Sequence, residues 1–366
     1  MAKHRAVAPL VLVALAALLL GPAIVGGRTI YTGDLSAFEH PRDRLVAASF
    51  ARGEGVPRWS PDIYGGAAAL GAQEMALLYP PNTLLALLAP DNARAIGVFL
   101  HLLLAAFGAR ALARQLGLSE EAALVVAVVY GSGGAILSLH QVAVYVRSAA
   151  WLPWILTGAA RSRVGLATLG LLGTYLGGDP MGCAVAALAC LALGGEAPAL
   201  TVAKAAPLAM LIGAAQLLPA LGVLGDTSRT EGFTYELAMR FSLWPPELVG
   251  LVVPFLFGSL ANPESLWIFA VSPDAERAWA EALYVGPVAF ALAAAGVVRA
   301  GRARNVGLVL LVFVVLAFGR FGPLGHVIHA LAATFRYPAK IVFPATLGLA
   351  LLAGHGLDAL PRRASS

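Results

Sequence analysis

What most constrains this chain is a succession of apolar runs, each about as long as the roughly 20 residues a helix needs to cross a bilayer. The first run goes from Ala6 to about Val25, behind the basic Lys3-His4-Arg5, and others follow to the C-terminal end. Backbone polar groups find no water inside hydrocarbon, so such runs must fold as helices or close into a barrel. A barrel strand alternates polar and apolar residues, whereas these runs are continuously apolar. The expected fold class is therefore an all-α polytopic membrane protein. With 12% charged and 59% hydrophobic residues and a mean hydropathy of +0.79, the chain lies far from the roughly 25% charged residues of soluble domains.

The basic residues orient the spans, because cytoplasmic loops are enriched in Lys and Arg. Lys3/Arg5, Arg110/Arg114, Arg161/Arg163, Lys204, Arg299/Arg302/Arg304 and Arg362/Arg363 share one side if residues 164–194 form a hairpin broken at Gly177-Gly178-Asp179-Pro180. That reading gives about ten spans and places both termini in the cytoplasm. The net charge of +5 is explained in the same way, without nucleic acid as a partner. Three polar stretches then face outward, 27–94, 225–282 and 319–340, in a single domain spanning 1–366. The apolar N-terminal run is longer than a signal-peptide core of about 7–15 residues, which favours an uncleaved anchor. Cys183 and Cys190, two helical turns apart, are too distant to bridge and read as packing residues.

The chemistry is expected in the first outer loop, where acids, bases, aromatics and turn formers are mixed. Asp34 lies just beyond the first span, where a carboxylate can serve as general base for a hydroxyl or help bind a divalent metal. Glu39 and His40 follow closely enough to share a site. From spacing alone, a turn or cap is the better account of Gly33-Asp34. Arg336, in Phe335-Arg336-Tyr337-Pro338, combines a guanidinium suited to phosphate with flanking aromatics, and an interfacial anchor made with Tyr337 explains it equally well. Arg147 is the main ionisable residue within a span, near its outer end. Trp59 belongs by default to an aromatic belt, although sugar faces also stack on such rings. His326-x-x-His329 is a weak metal signal. Walker, dinucleotide-binding and zincin motifs are absent from the sequence, which leaves nucleotide-driven and zincin chemistry without support.

Taken in order, a series of short stretches resembles the YfhO family of bacterial membrane proteins, within the GT-C glycosyltransferase-like superfamily. It begins with Gly33-Asp34, Pro57-Arg58-Trp59-Ser60-Pro61-Asp62-Ile63-Tyr64-Gly65-Gly66 and Leu78-Tyr79-Pro80-Pro81-Asn82. It continues through Ala150-Trp151-Leu152-Pro153, Leu176-Gly177-Gly178-Asp179-Pro180, Gln216-Leu217-Leu218-Pro219 and Val253-Pro254-Phe255-Leu256-Phe257-Gly258. It ends with Phe335-Arg336-Tyr337-Pro338-Ala339-Lys340 and Leu352-Ala353-Gly354-His355-Gly356-Leu357-Asp358.

The resemblance implies a GT-C-like fold in the bacterial cytoplasmic membrane, in contact with membrane lipid. It also implies a polyprenyl-phosphate sugar as donor and an acidic residue of the first outer loop near the active site. On that reading Asp34 is the catalytic base or a metal-site acid, with Glu39 and His40 beside it. Arg336 and Tyr337 meet the donor, Arg147 is a weaker phosphate candidate, and Trp59 and Tyr64 line the substrate path. A divalent ion, Mg²⁺ or Mn²⁺, is left open as cofactor. The chain is shorter than many such enzymes, as a short form or a fragment would be, and Asp34 has no adjacent second acid. A transporter or lipid flippase would need a polar path through the spans, which offer little beyond Gln216 and the glycine-rich breaks. A non-catalytic scaffold is the remaining alternative.

Overall fold

The computed structural model describes residues 2–27, 30, 35–63, 65–89, 91–227, 229–259, 262–272 and 279–360. Among them there are helices and two isolated bridges, Ser60 with Ala67 and Ser259 with Asn262, but no strand. α1 (Ala2–Val25) is only 17% buried along its apolar window and lies at the edge of the bundle, packed on α4 and α5. The first polar segment follows, with a π-helical turn at Leu35–Glu39, α2 (His40–Ala51) and α3 (Pro80–Leu88).

α4 (Ala93–Gln115), α5 (Glu120–Gly131) and the short α6 (Gly134–Ser138) then enter the bundle. The Ser119 hydroxyl caps α5 by accepting from Ala122 N at 3.2 Å, and it donates to Asp358 Oδ1 at 2.5 Å. Glu120, in the first turn, pairs with Arg110 at 2.5 Å and Arg114 at 3.1 Å. This single cap therefore ties three helices together at one end of the bundle.

α7 (Ala143–Ala160) leads to α8 (Val164–Leu176) and α9 (Pro180–Cys190), separated at Gly177-Gly178-Asp179. Asp179 starts α9 by accepting from Gly182 N at 2.8 Å and Ser148 Oγ at 2.6 Å. Gly178, at φ +99°, sits so close to the Gln73 carbonyl that a Cβ would approach it to 2.9 Å. A side chain here would be strained and crowded against the first polar loop.

α10 (Glu196–Ile212) and α11 (Ala214–Leu224) meet at 79°, where the sequence suggests a single span over 205–224. The short helices α12 (Tyr235–Ala238) and α13 (Ile268–Val271) lie in the second polar stretch. α14 (Pro287–Val298) and α15 (Arg302–Ala317) turn through 113°. After α16 (Gly325–Leu331), α17 (Phe343–Ala359) runs through the centre. α17 belongs to a 22-residue apolar stretch that is 78% buried, and it packs on α5, α14 and α15.

Among the described residues four helices are long and apolar enough to cross a membrane, or up to six if each bent pair is one span. The sequence suggests about ten. Part of the difference lies in α8 and α9, which the break at Gly177-Gly178-Asp179 leaves too short to qualify, and part in α14 and α15, which count as one bent pair.

Close approach of α14 and α17 depends on glycine, the usual device where apolar side chains gain little over lipid. A Cβ at Gly356 would overlap the Leu292 carbonyl, and one at Gly296 would overlap the Leu352 carbonyl. Gly356→Ala is expected to cost about 1–3 kcal/mol by forcing these helices apart. A fall in the midpoint of thermal unfolding in detergent checks this.

Candidate functional site

The π-helical turn at Leu35–Glu39 feeds directly into α2, so Glu39, Arg42 and Asp43 project together from the start of that helix. They meet Arg94 from the first turn of α4 and Arg147 from the second turn of α7. Glu39 accepts from Arg147 Nη2 at 3.0 and 3.2 Å and from Arg94 Nη1 at 2.6 Å, and it pairs with Arg42 Nη2 at 2.8 Å. Asp43 faces Arg42 at 2.6 Å and Arg94 at 2.7 Å. The second of these contacts is an ion pair off hydrogen-bond alignment.

All five side chains are at most 4% exposed. Their remaining donors are largely satisfied by neighbours. Arg42 Nη1 reaches the Met75 carbonyl at 3.0 Å and Arg147 Nη1 the Gly177 carbonyl at 2.9 Å. With its amide oriented to satisfy both partners, Asn82 Oδ1 accepts from Arg42 at 3.3 Å and Arg147 at 3.1 Å. Burial alone would raise the pKa of Glu39, but the guanidiniums of Arg147, Arg42 and Arg94 outweigh it and hold it at about 2.

This arrangement bears on the residues expected to act. Glu39 is buried and held by three guanidiniums, a geometry that anchors the loop. Arg147 directs its donors to Glu39 and Gly177. His40 is half-buried, with Nε2 3.1 Å from the Ile30 carbonyl, and it lines a cavity of about 370 Å³ with Gly27, Arg44, Asp62 and Asp91. Asp34 and Tyr64 lie outside the described residues.

Trp59 is 59% exposed and packs over Gly66, where a Cβ would come within 2.5 Å of its ring. It lines a groove of about 640 Å³ between the first polar segment and the end of α11, together with Phe38, Gln73, Glu74, Asp226 and Arg229.

A second cationic group stands where the chain enters α17. Tyr337, at φ +67°, turns the backbone there, held by its own N–H on the Ala238 carbonyl at 2.9 Å. The Arg336 guanidinium lies 5.3 Å from the Phe233 ring centre and 4.8 Å from that of Tyr337. Tyr337 in turn packs on Phe241 and Trp279, at 5.0 and 5.4 Å. His326 stacks on Tyr235 at 4.2 Å, and His329 bonds the Phe233 carbonyl at 2.8 Å, so both histidines have packing roles. Among the described residues no three His, Cys, Asp or Glu side chains group as a metal site. Glu39 and Asp43, already paired with arginines, do not fit Mg²⁺ or Mn²⁺.

Sequence reasoning missed Arg42, Asp43, Asn82 and Arg94. The available signal was the i, i+3 acid–base pair Glu39/Arg42 beside a further acid, followed by an arginine heading an apolar helix.

No family model and no curated protein matches the chain. Among solved structures it is similar to the cryo-EM structure of the arabinofuranosyltransferase AftD from Mycobacteria. The identity is 16%, the TM-score 0.58, and the match covers 97% of this chain and 24% of that one. The chain thus spans about a quarter of AftD. The likeness shows the fold alone: among the described residues the chain is helical, its arrangement is shared with the matched part of AftD, and several helices are long and apolar enough to cross a membrane.

Removing one partner from a buried ionic group typically costs about 3–5 kcal/mol, so Glu39→Gln is expected to lower stability by that amount at pH 7. The folded-state pKa of Glu39 is depressed. Its contribution is therefore full above its ordinary value of 4.5 and fades as pH falls towards about 2. Unfolding midpoints of the two proteins should converge between pH 5 and about 2.

Proposed function

We propose that the chain is a membrane glycosyltransferase of the YfhO family. It moves a sugar from a polyprenyl-phosphate donor to an acceptor on the outer side of the cytoplasmic membrane. The observation that carries this reading is the fold shared with an arabinofuranosyltransferase. It is supported by a polar segment fixed against the ends of the spans by the Glu39 cluster. A lipid-anchored donor cannot leave the bilayer, so its reacting carbon must meet the acceptor where spans give way to polar loops.

In this reading Asp34 is the general base, taking the proton of the acceptor hydroxyl as that oxygen attacks the anomeric carbon. The sugar–phosphate bond breaks, and the lipid phosphate leaves with the bonding electrons. Arg336, presented on Phe233 and Tyr337, stabilises the phosphate as its charge grows. Glu39 and Arg147 act as positioning residues, holding the loop that carries Asp34. The groove lined by Trp59 offers an aromatic face and the carboxylates of Glu74 and Asp226 to the hydroxyls of an acceptor glycan.

Asp34→Asn should reduce the rate of transfer at least 100-fold with insertion and thermal stability unchanged, the scale of a lost general base. Arg336→Ala should raise the donor KM more than the acceptor KM. Retained turnover in the first variant, or an unmoved donor KM in the second, would remove these assignments.

A further inference from the structure

Lys340 has no role in the account so far, and its surroundings are unusual. It sits in the middle of the Pro338–Val342 turn that leads into α17, and the residue is 8% exposed. Among the described residues the ammonium has no hydrogen bond and no carboxylate partner. It lies instead against two aromatic faces, 4.7 Å from the Phe335 ring centre and 5.6 Å from that of Tyr145. Cation–π contact compensates only a small part of the desolvation of an ammonium.

The charges in electrostatic range do not supply the missing anion. Arg229 and Arg336 add positive charge, and the nearby acid is Asp179. Asp179 is already occupied by Ser148 Oγ at 2.6 Å and the Gly182 amide at 2.8 Å. The guanidinium of Arg336 likewise rests on rings and makes no ion pair among the described residues. Arg229 donates to the Thr334 carbonyl at 3.4 Å, lies 5.8 Å from the Phe233 ring centre and also lines the 640 Å³ groove. Arg229 and Arg336 share the Phe233 ring, at 5.8 and 5.3 Å from its centre, and both lie in electrostatic range of Lys340, whereas Asp179, the acid in that range, is engaged elsewhere. Natural interiors rarely keep a buried charge without a partner.

We propose that Lys340 is the inner cation of a phosphate site completed by Arg336 and Arg229, and that it receives the phosphate headgroup of a membrane-resident lipid. This rests on the glycosyltransferase reading for the identity of that lipid, and it adds the residue that neutralises the phosphate from the bundle side. The rings of Tyr145 and Phe335 lie against the ammonium and lower the local dielectric, which strengthens its attraction for the anion. Lys340 is a binding residue here, since it contacts the phosphate and takes no proton.

The test compares the full-length protein with Lys340→Met and Lys340→Arg in detergent. Thermal unfolding and direct binding are followed with inorganic phosphate, with a short-chain polyprenyl phosphate lacking sugar, and with the corresponding neutral alcohol. The polyprenyl phosphate is expected to raise the unfolding midpoint of the native protein, and the neutral alcohol to leave it unmoved. Lys340→Met should bind at least 10-fold more weakly while unfolding at the same or a higher temperature without ligand, because the unpaired charge is gone. Lys340→Arg should recover part of the affinity. Protection by inorganic phosphate as well would assign recognition to the headgroup alone. Protection by the lipid phosphate only would add a contribution from the chain, and both results support the site. A Lys340→Met protein that binds like the native one, or that unfolds earlier with unchanged affinity, would make Lys340 a packing residue and overturn the proposal. Binding without sugar transfer by the native protein would instead fault the glycosyltransferase reading and leave the phosphate site standing.

Discussion

The Glu39 carboxylate, enclosed by three guanidiniums, is the interaction on which the arrangement of the polar segments depends. Carboxylates and guanidiniums enter an apolar bundle only as neutralised, hydrogen-bonded groups. That requirement fixes several elements at once. Arg94 brings the start of α4, Arg147 the second turn of α7, and Arg42 with Asp43 the start of α2. Through Arg147 and the Gly177 carbonyl, the break between α8 and α9 is held to the same centre. The Met75 carbonyl and Asn82 attach the remainder of the first polar segment. A loop of this length would otherwise be free to move over the membrane surface.

Much of the architecture was legible because it follows from backbone chemistry in lipid. Continuous apolar runs implied helices, Ser119 with its following acids marked the start of α5, and Gly177-Gly178-Asp179-Pro180 marked a break. The bends were less legible. Nothing in the composition of 205–224 distinguishes a straight span from two helices meeting at 79°. The charge cluster escaped notice because its members are up to 108 residues apart in sequence, and each alone reads as an ordinary loop or interfacial charge. The setting of Lys340 was hidden for a related reason. Its isolation from any carboxylate is a property of packing around Tyr145 and Phe335, and spacing along the chain cannot express it.

The placement of Glu39 also changes how the first segment is read. Proximity to Asp34 in sequence suggested a shared catalytic role, whereas its saturation by arginines makes it the foundation of the loop. Catalysis in the proposed account is therefore divided. A rigid ionic centre positions the segment carrying Asp34, and a separate set of cations before α17 addresses the phosphate. The groove beside Trp59 runs between the first polar segment and the end of α11, where Arg229 belongs to both the groove and the cationic group.

The central claim, sugar transfer from a lipid-linked donor, is tested most directly with the purified native chain in proteoliposomes containing a radiolabelled polyprenyl-phosphate sugar. Covalent transfer of label to a glycan acceptor and movement of the donor between leaflets are followed in the same vesicles. The account predicts label on the acceptor at a rate independent of donor movement. Donor movement without covalent transfer would contradict it and identify a transporter.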